Sequence, residues 1–212
     1  MPMSLPDPLP LLATCPVVPV VTITDPKTAV PLAQALLAGG LAAVEVTLRT
    51  EAALEAIRLI SLNVPGAIVG VGTVTKPADI DQAVKAGAKY IVTPGTPPEL
   101  GRALALARVP CIPGCATASE AMALADLGFR TLKFFPAESS GGIGWLKSIH
   151  GPLPGLRFCP TGGIDGKNAA AYLALPNVVA VGGSWVVPAA AVSAGDFARI
   201  TNLAKEAKAL RA

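Results

Sequence analysis

The chain reads as an α/β protein folded as a single (β/α)₈ TIM barrel with an N-terminal extension, and three observations lead there. Short apolar runs rich in β-branched residues alternate with longer Ala-, Leu- and Glu-rich segments. There are eight such runs, and hydrophobic residues make up 52% of the 212 positions against 15% charged. Strict alternation implies parallel strands joined by crossover helices, and strands buried on both faces need this much apolar composition. An open doubly wound sheet also satisfies the alternation. Eight units favour closure, and no G-x-G-x-x-G follows the first strand.

In order, the candidate strands are VVPVVTI, AAVEVTL, AIVGVGTV, YIVTPG, VPCIPG, TLKFFPA, LRFCPTGG and VVAVGGSWV. Between them, AVPLAQALLAGG, EAALEAIRLI, KPADIDQAVKAGA, PPELGRALALA, ASEAMALADLG and DGKNAAAYLAL carry apolar residues near a 3.6 spacing, which predicts helices. Pro2, Pro6, Pro8 and Pro10 crowd the start, so any helix there is short or irregular, and residues 1–15 are read as a cover segment. Asp196 to Ala209 reads as a closing helix. At this length two full domains do not fit, so residues 1–212 are read as one barrel domain.

Net charge is +3, from 17 Lys and Arg against 14 Asp and Glu, with no basic run or stripe, and aromatics are only 4%. Both facts argue against a nucleic-acid partner. Cys15, Cys111, Cys115 and Cys159 offer no second close pair and no neighbouring histidine, so the expectation is free, buried thiols and no metal site. No apolar run approaches the roughly 20 residues of a membrane span, and the N-terminus lacks a signal pattern. The expected setting is the cytoplasm, with reduced cysteines and no membrane partner.

A barrel gathers its chemistry where strands end and βα loops begin. Lys133, in TLKFFP, alternates with Leu132 and Phe134 and so faces the interior, where loss of ammonium solvation favours the neutral, nucleophilic amine. The competing reading is a lysine that snorkels to solvent or pairs with a carboxylate. Glu45, between Val44 and Val46, puts a carboxylate on the same inner face, as a proton carrier or as a purely structural partner of Lys133.

Arg49 could clamp a carboxylate bidentately or be an ordinary solvated loop residue, and Thr73 could donate to the same carboxylate or cap a helix. Pro94 ends the fourth run. The doublets Gly162-Gly163 and Gly182-Gly183, the latter followed by Ser184, end the seventh and eighth runs, where barrels often hold phosphate on backbone N–H groups and helix N-termini. Tight turns are the alternative. His150, placed just beyond a predicted helix, reads as a surface or capping residue, and Cys111 and Cys159 as small hydrophobes.

Taken together, VVPV, AGG, VEVTLRT, VGTV, PG, IPG, KFFPAE, FCPTGGI and GGSW, from about Pro16 to the last helix, closely resemble the 2-keto-3-deoxy-6-phosphogluconate (KDPG) aldolase family, whose members often act on 4-hydroxy-2-oxoglutarate (KHG) as well. The resemblance implies a class I lyase with Lys133 as Schiff-base lysine and Glu45 as general acid/base. It further implies that Arg49 and Thr73 contact the pyruvyl carboxylate, that Pro94, Phe135 and Thr161 line the pocket, and that Gly162, Gly163 and Ser184 hold a phosphate. A keto-acid phosphate substrate, no cofactor and a homotrimer are implied with them. Cys115, where relatives commonly carry a β-branched residue, and the proline-rich start depart from the family pattern. Residue by residue, two alternatives stay open: another phosphate-binding barrel, such as a sugar-phosphate epimerase or a thiamine phosphate synthase-like enzyme, and a non-catalytic phosphometabolite-binding protein.

Overall fold

The computed structural model describes residues 5–211. Every one of the expected apolar runs carries a strand: β1 (Val17–Val21), β2 (Ala43–Thr47), β3 (Ile68–Gly72), β4 (Ile91–Val92), β5 (Cys111–Ile112), β6 (Gly114–Cys115), β7 (Thr131–Phe134), β8 (Arg157–Pro160) and β9 (Val181–Gly183). The fifth run is cut into β5 and β6 at Pro113, which has no N–H to give a ladder. The helices are α1 (Leu9–Ala13), α2 (Ala29–Ala38), α3 (Ala53–Asn63), α4 (Pro77–Lys85), α5 (Pro98–Ala105), α6 (Ala118–Asp126), α7 (Gly142–His150), α8 (Ala169–Leu173), α9 (Ala189–Ser193) and α10 (Phe197–Lys208).

All strand pairs are parallel. One sheet runs β5-β4-β3-β2-β1-β9 and the other β6-β7-β8. The two sheets meet through the split strand and through single bridges from Phe158 to Val178 and from Thr161 to Gly182. The result is an α/β fold with a curled parallel sheet. Its outer face, with Val44, Val46, Val69, Val71, Leu132 and Phe134, packs under the helices as the main core. Its inner face carries a smaller apolar cluster of Val18, Tyr90, Val92, Ile112, Cys159 and Ala180, against which Leu12 of α1 is fully buried. Residues 1–4 of the expected cover segment, Pro2 among them, lie outside the described residues.

Local signals account for the helix ends. Thr117 caps α6 in a reciprocal box: Glu120 N–H donates to its hydroxyl at 3.3 Å, and the N–H groups of Ala116 and Thr117 donate to the Glu120 carboxylate at 2.8 and 2.9 Å. Asp196 caps α10 by accepting from Arg199 N–H at 3.0 Å. His150, expected just past a helix, is instead the last residue of α7. All four cysteines are free and buried, and burial pushes the thiols of Cys111, Cys115 and Cys159 up to about 12. Cys115 packs in the outer core. No helix of the described residues is long and apolar enough to cross a membrane.

Candidate active site

Glu45 is the middle residue of β2 and Lys133 the third of β7, inside their strands and not at the ends, where sequence reasoning put them. Strand alternation sends their outward neighbours into the main core and turns both ionisable side chains inward. There Lys133 Nζ donates to Glu45 Oε1 at 3.1 Å, although the residues are 88 positions apart. Glu45 is 3% exposed and Lys133 5%, so this is a desolvated pair, each charge stabilised mainly by the other. A proton can pass between the two atoms without an intervening group.

The neighbouring strands make room for the pair. A Cβ on Gly72 would fall 2.1 Å from Glu45 Oε1, so β3 can carry no side chain at that point. The Tyr90 ring lies against Gly70 in the same way, and its buried hydroxyl has no partner among the described residues. Burial, and next the charge of Glu45, hold that hydroxyl well above the usual tyrosine range. Phe135 leaves its ring centroid 5.2 Å from Lys133 Nζ, close enough for a cation–π contact.

In register, Lys133 lies beside Cys159, two residues before Thr161 on the same strand face. Thr161 lines a cavity of about 940 Å³ together with Arg49, Phe135, the Gly162-Gly163 loop and Gly182, Gly183 and Ser184 at the end of β9. Thr73 and Pro94 are not among its lining residues. They follow β3 and β4, both half-buried, and Thr73 is the one non-glycine residue among those described with a positive φ, 60°. A threonine in that region is strained, a feature that concentrates at functional sites. Arg49 is exposed at the cavity and makes no ion pair among the described residues.

Gly162 and Gly163 have φ of 100° and 76°, a conformation that side-chain-bearing residues rarely take. Backbone bonds pin this loop to the one after β7: Ala137 N–H donates to Thr161 O at 2.7 Å and Glu138 N–H to Gly162 O at 3.1 Å. The helix-dipole part of the expectation needs correction. Each glycine doublet is followed by a helix of only five residues, α8 and α9, too short to lend much dipole to the cavity.

One wall was missed from sequence: Thr22, Thr24, Asp25 and Thr28, after β1. Thr22 shares a 3.0 Å hydroxyl contact with Thr47, whose own hydroxyl also reaches Val21 O at 3.1 Å, and Asp25 accepts from Lys27 N–H at 3.0 Å to cap the turn Pro26–Thr28. The alternating polar residues of T-I-T-D at the end of the first run carried the same kind of signal as Glu45.

With this geometry in hand, comparison with known proteins is direct. The sequence profile of "KDPG and KHG aldolase" matches residues 10–203. The chain is 52% identical to the 2-dehydro-3-deoxy-phosphogluconate aldolase of Dickeya dadantii, over 94% of this chain and 93% of the relative. It is 50% identical to the KHG/KDPG aldolase of Escherichia coli K12, over 93% and 92%. The structure of the KDPG aldolase from Legionella pneumophila, with pyruvate captured at low pH as a covalent carbinolamine intermediate, superposes with a TM-score of 0.92 at 44% identity, over 94% of this chain and 97% of that one. With a buried Lys133–Glu45 pair on the inner face of its sheet, a match to the family profile over residues 10–203 and relatives at about half identity over nearly its whole length, the chain belongs to the KDPG and KHG aldolase family.

Proposed function

We propose that this protein is a class I aldolase that cleaves KDPG to pyruvate and glyceraldehyde 3-phosphate, and KHG to pyruvate and glyoxylate. The observation that carries the reading is the 3.1 Å contact of Lys133 with Glu45 on the inner face of the sheet. An ion pair of this kind is costly to bury for stability alone, whereas Schiff-base chemistry needs both members.

The neutral Lys133 amine attacks the C2 ketone, and Glu45 supplies and removes protons as the carbinolamine loses water to give the protonated imine. Glu45 then takes the proton of the C4 hydroxyl; the C3–C4 bond breaks, its electron pair moves into the imine as an enamine, and the aldehyde leaves. Protonation of the enamine methylene by Glu45 and hydrolysis of the imine release pyruvate and restore the amine. Arg49 and Thr73 hold the carboxylate, while Pro94, Phe135 and Thr161 bound the pyruvyl end. The phosphate rests on Gly162, Gly163, Gly182, Gly183 and Ser184. Arg49 is the one lysine or arginine on the cavity wall, which supports its assignment to an anionic group. The protonated imine provides the polarisation that class II aldolases take from a metal, so chelation with EDTA is expected to leave activity intact.

The same reading takes residues 1–212 as one closed (β/α)₈ barrel with residues 1–15 as its cover. The bridges from Phe158 to Val178 and from Thr161 to Gly182, and the burial of Leu12 against inner-face residues, support it. It also takes the enzyme as a cytoplasmic homotrimer; the free, buried cysteines suit a reducing compartment, and light scattering measures the assembly. The decisive experiment is incubation with pyruvate and sodium borohydride followed by peptide mass spectrometry. A stoichiometric reduced pyruvyl adduct on Lys133 is expected. No adduct on folded protein would return the field to an epimerase-like enzyme or a binding protein.

A further inference from the structure

Behind the Gly162-Gly163 loop stands a side-chain pair that the mechanism above does not use. Glu138 opens the 3₁₀ turn Glu138–Ser140 that follows the Lys133 strand, and its backbone N–H donates to Gly162 O at 3.1 Å. Its Cβ and Cγ lie over Gly163, where an added Cβ would come within 2.7 and 2.6 Å of them. Its carboxylate accepts a hydrogen bond from the hydroxyl of Tyr172, a fully buried residue of α8. Burial, and then Glu138 itself, keep that hydroxyl far above its ordinary titration range, so it stays a donor at any working pH. One side chain therefore ties together the strand of the lysine, the anion loop and the helix after that loop.

We propose that Glu138 and Tyr172 are a positioning pair that holds the Gly162-Gly163 loop at a set distance from Lys133, and so make the enzyme selective for phosphorylated over unphosphorylated keto acids. The proposal rests on the reading of the glycine loops as the phosphate site. Two consecutive glycines at positive φ have more conformational freedom to lose than any other dipeptide, so a loop not held in place binds its anion weakly. Released from Tyr172, the Glu138 carboxylate is also free to approach the phosphate and repel it. Both effects act at the phosphate end. A substrate without a phosphate does not reach this loop and escapes them.

Steady-state kinetics of the full-length protein on KDPG and on KHG test this with Y172F, E138A and E138Q. Y172F and E138A are expected to raise KM for KDPG about tenfold, the cost of losing a hydrogen bond to a charged group. Their kcat on KDPG and their kcat/KM on KHG should stay within about twofold of the parent. E138Q, whose side-chain oxygen still accepts from Tyr172, should keep the parent's preference. Equal losses on the two substrates would make the pair merely structural and overturn the proposal. A preference left untouched by both Y172F and E138A would overturn the role of the pair while leaving the phosphate site standing. A parent enzyme with no preference for KDPG would overturn the phosphate reading itself, and this proposal with it.

Discussion

Lys133 and Glu45 present side chains enclosed to within a few per cent of exposure, while the doublets Gly162-Gly163 and Gly182-Gly183 present backbone to a cavity of about 940 Å³. The first region is specified by strand register and by what its neighbours lack, since Gly72 must leave space for the Glu45 carboxylate. The second is specified by what glycine alone permits, since Gly162 and Gly163 take φ of 100° and 76° and a Cβ on Gly182 or Gly183 would run into Thr161 or Trp185. Chemistry on an imine needs a dry, isolated pair of ionisable groups; gripping an anion that must enter and leave needs accessible N–H donors. Substitutions in the first region should therefore change kcat, and those in the second KM.

The sharpest test of that division is Lys133→Met, expected to lower turnover by at least about 10⁴-fold and to abolish the borohydride-trapped adduct. The same variant leaves Glu45 buried without its cation, a loss of up to about 3–5 kcal/mol that the double change K133M/E45Q should largely restore in denaturant unfolding. Glu45→Gln is expected to reduce kcat by about 10²–10⁴-fold, with pyruvate still trapped on Lys133 at a slower rate. If it left kcat alone, the proton carrier would have to be sought elsewhere.

Gly72→Ala would push a methyl group into Glu45 Oε1, so kcat should drop about tenfold while KM for the phosphorylated substrate hardly moves. In the other region, Ser184→Ala should raise KM for KDPG several-fold, as for one lost hydrogen bond, and leave trapping of pyruvate unchanged. An effect of S184A on trapping would erase the distinction between the two regions.

The smallest effect near neutrality concerns the buried thiols. Burial raises Cys111, Cys115 and Cys159 to about 12, above the roughly 8.5 of an unfolded cysteine. The folded chain thus holds protons that the unfolded chain loses. Their contribution to stability is fully present below about pH 8.5 and is lost as pH climbs towards 12. Unfolding temperatures measured from pH 7 to 11 should fall progressively above that point, and a flat profile would contradict it.

The buried ion pair was legible because charge is conspicuous in an apolar alternation: Glu45 between two valines and Lys133 between Leu132 and Phe134 have no bland place to go. The threonines and Asp25 after β1 were passed over because polar residues at a strand end look like ordinary turn formers until the cavity shows what they face. The packing of the Tyr90 ring against Gly70 left no local mark at all. Nor did the link between Glu138 and Tyr172, 34 positions apart, since neither residue is unusual in its own segment.

By itself the sequence determined the alternation of strands and helices, the parallel sheet, the inward direction of Glu45 and Lys133, and the places where backbone replaces side chain. Those follow from periodicity and from the conformational freedom of glycine, which are local properties. Tertiary structure alone decided that β2 and β7 bring the two ionisable groups to 3.1 Å, that the fifth run breaks at Pro113, and that helices too short to lend much dipole follow the glycine doublets. Distances between remote residues depend on how the sheet curls and on which small side chains let it close up, and no window of sequence contains that information.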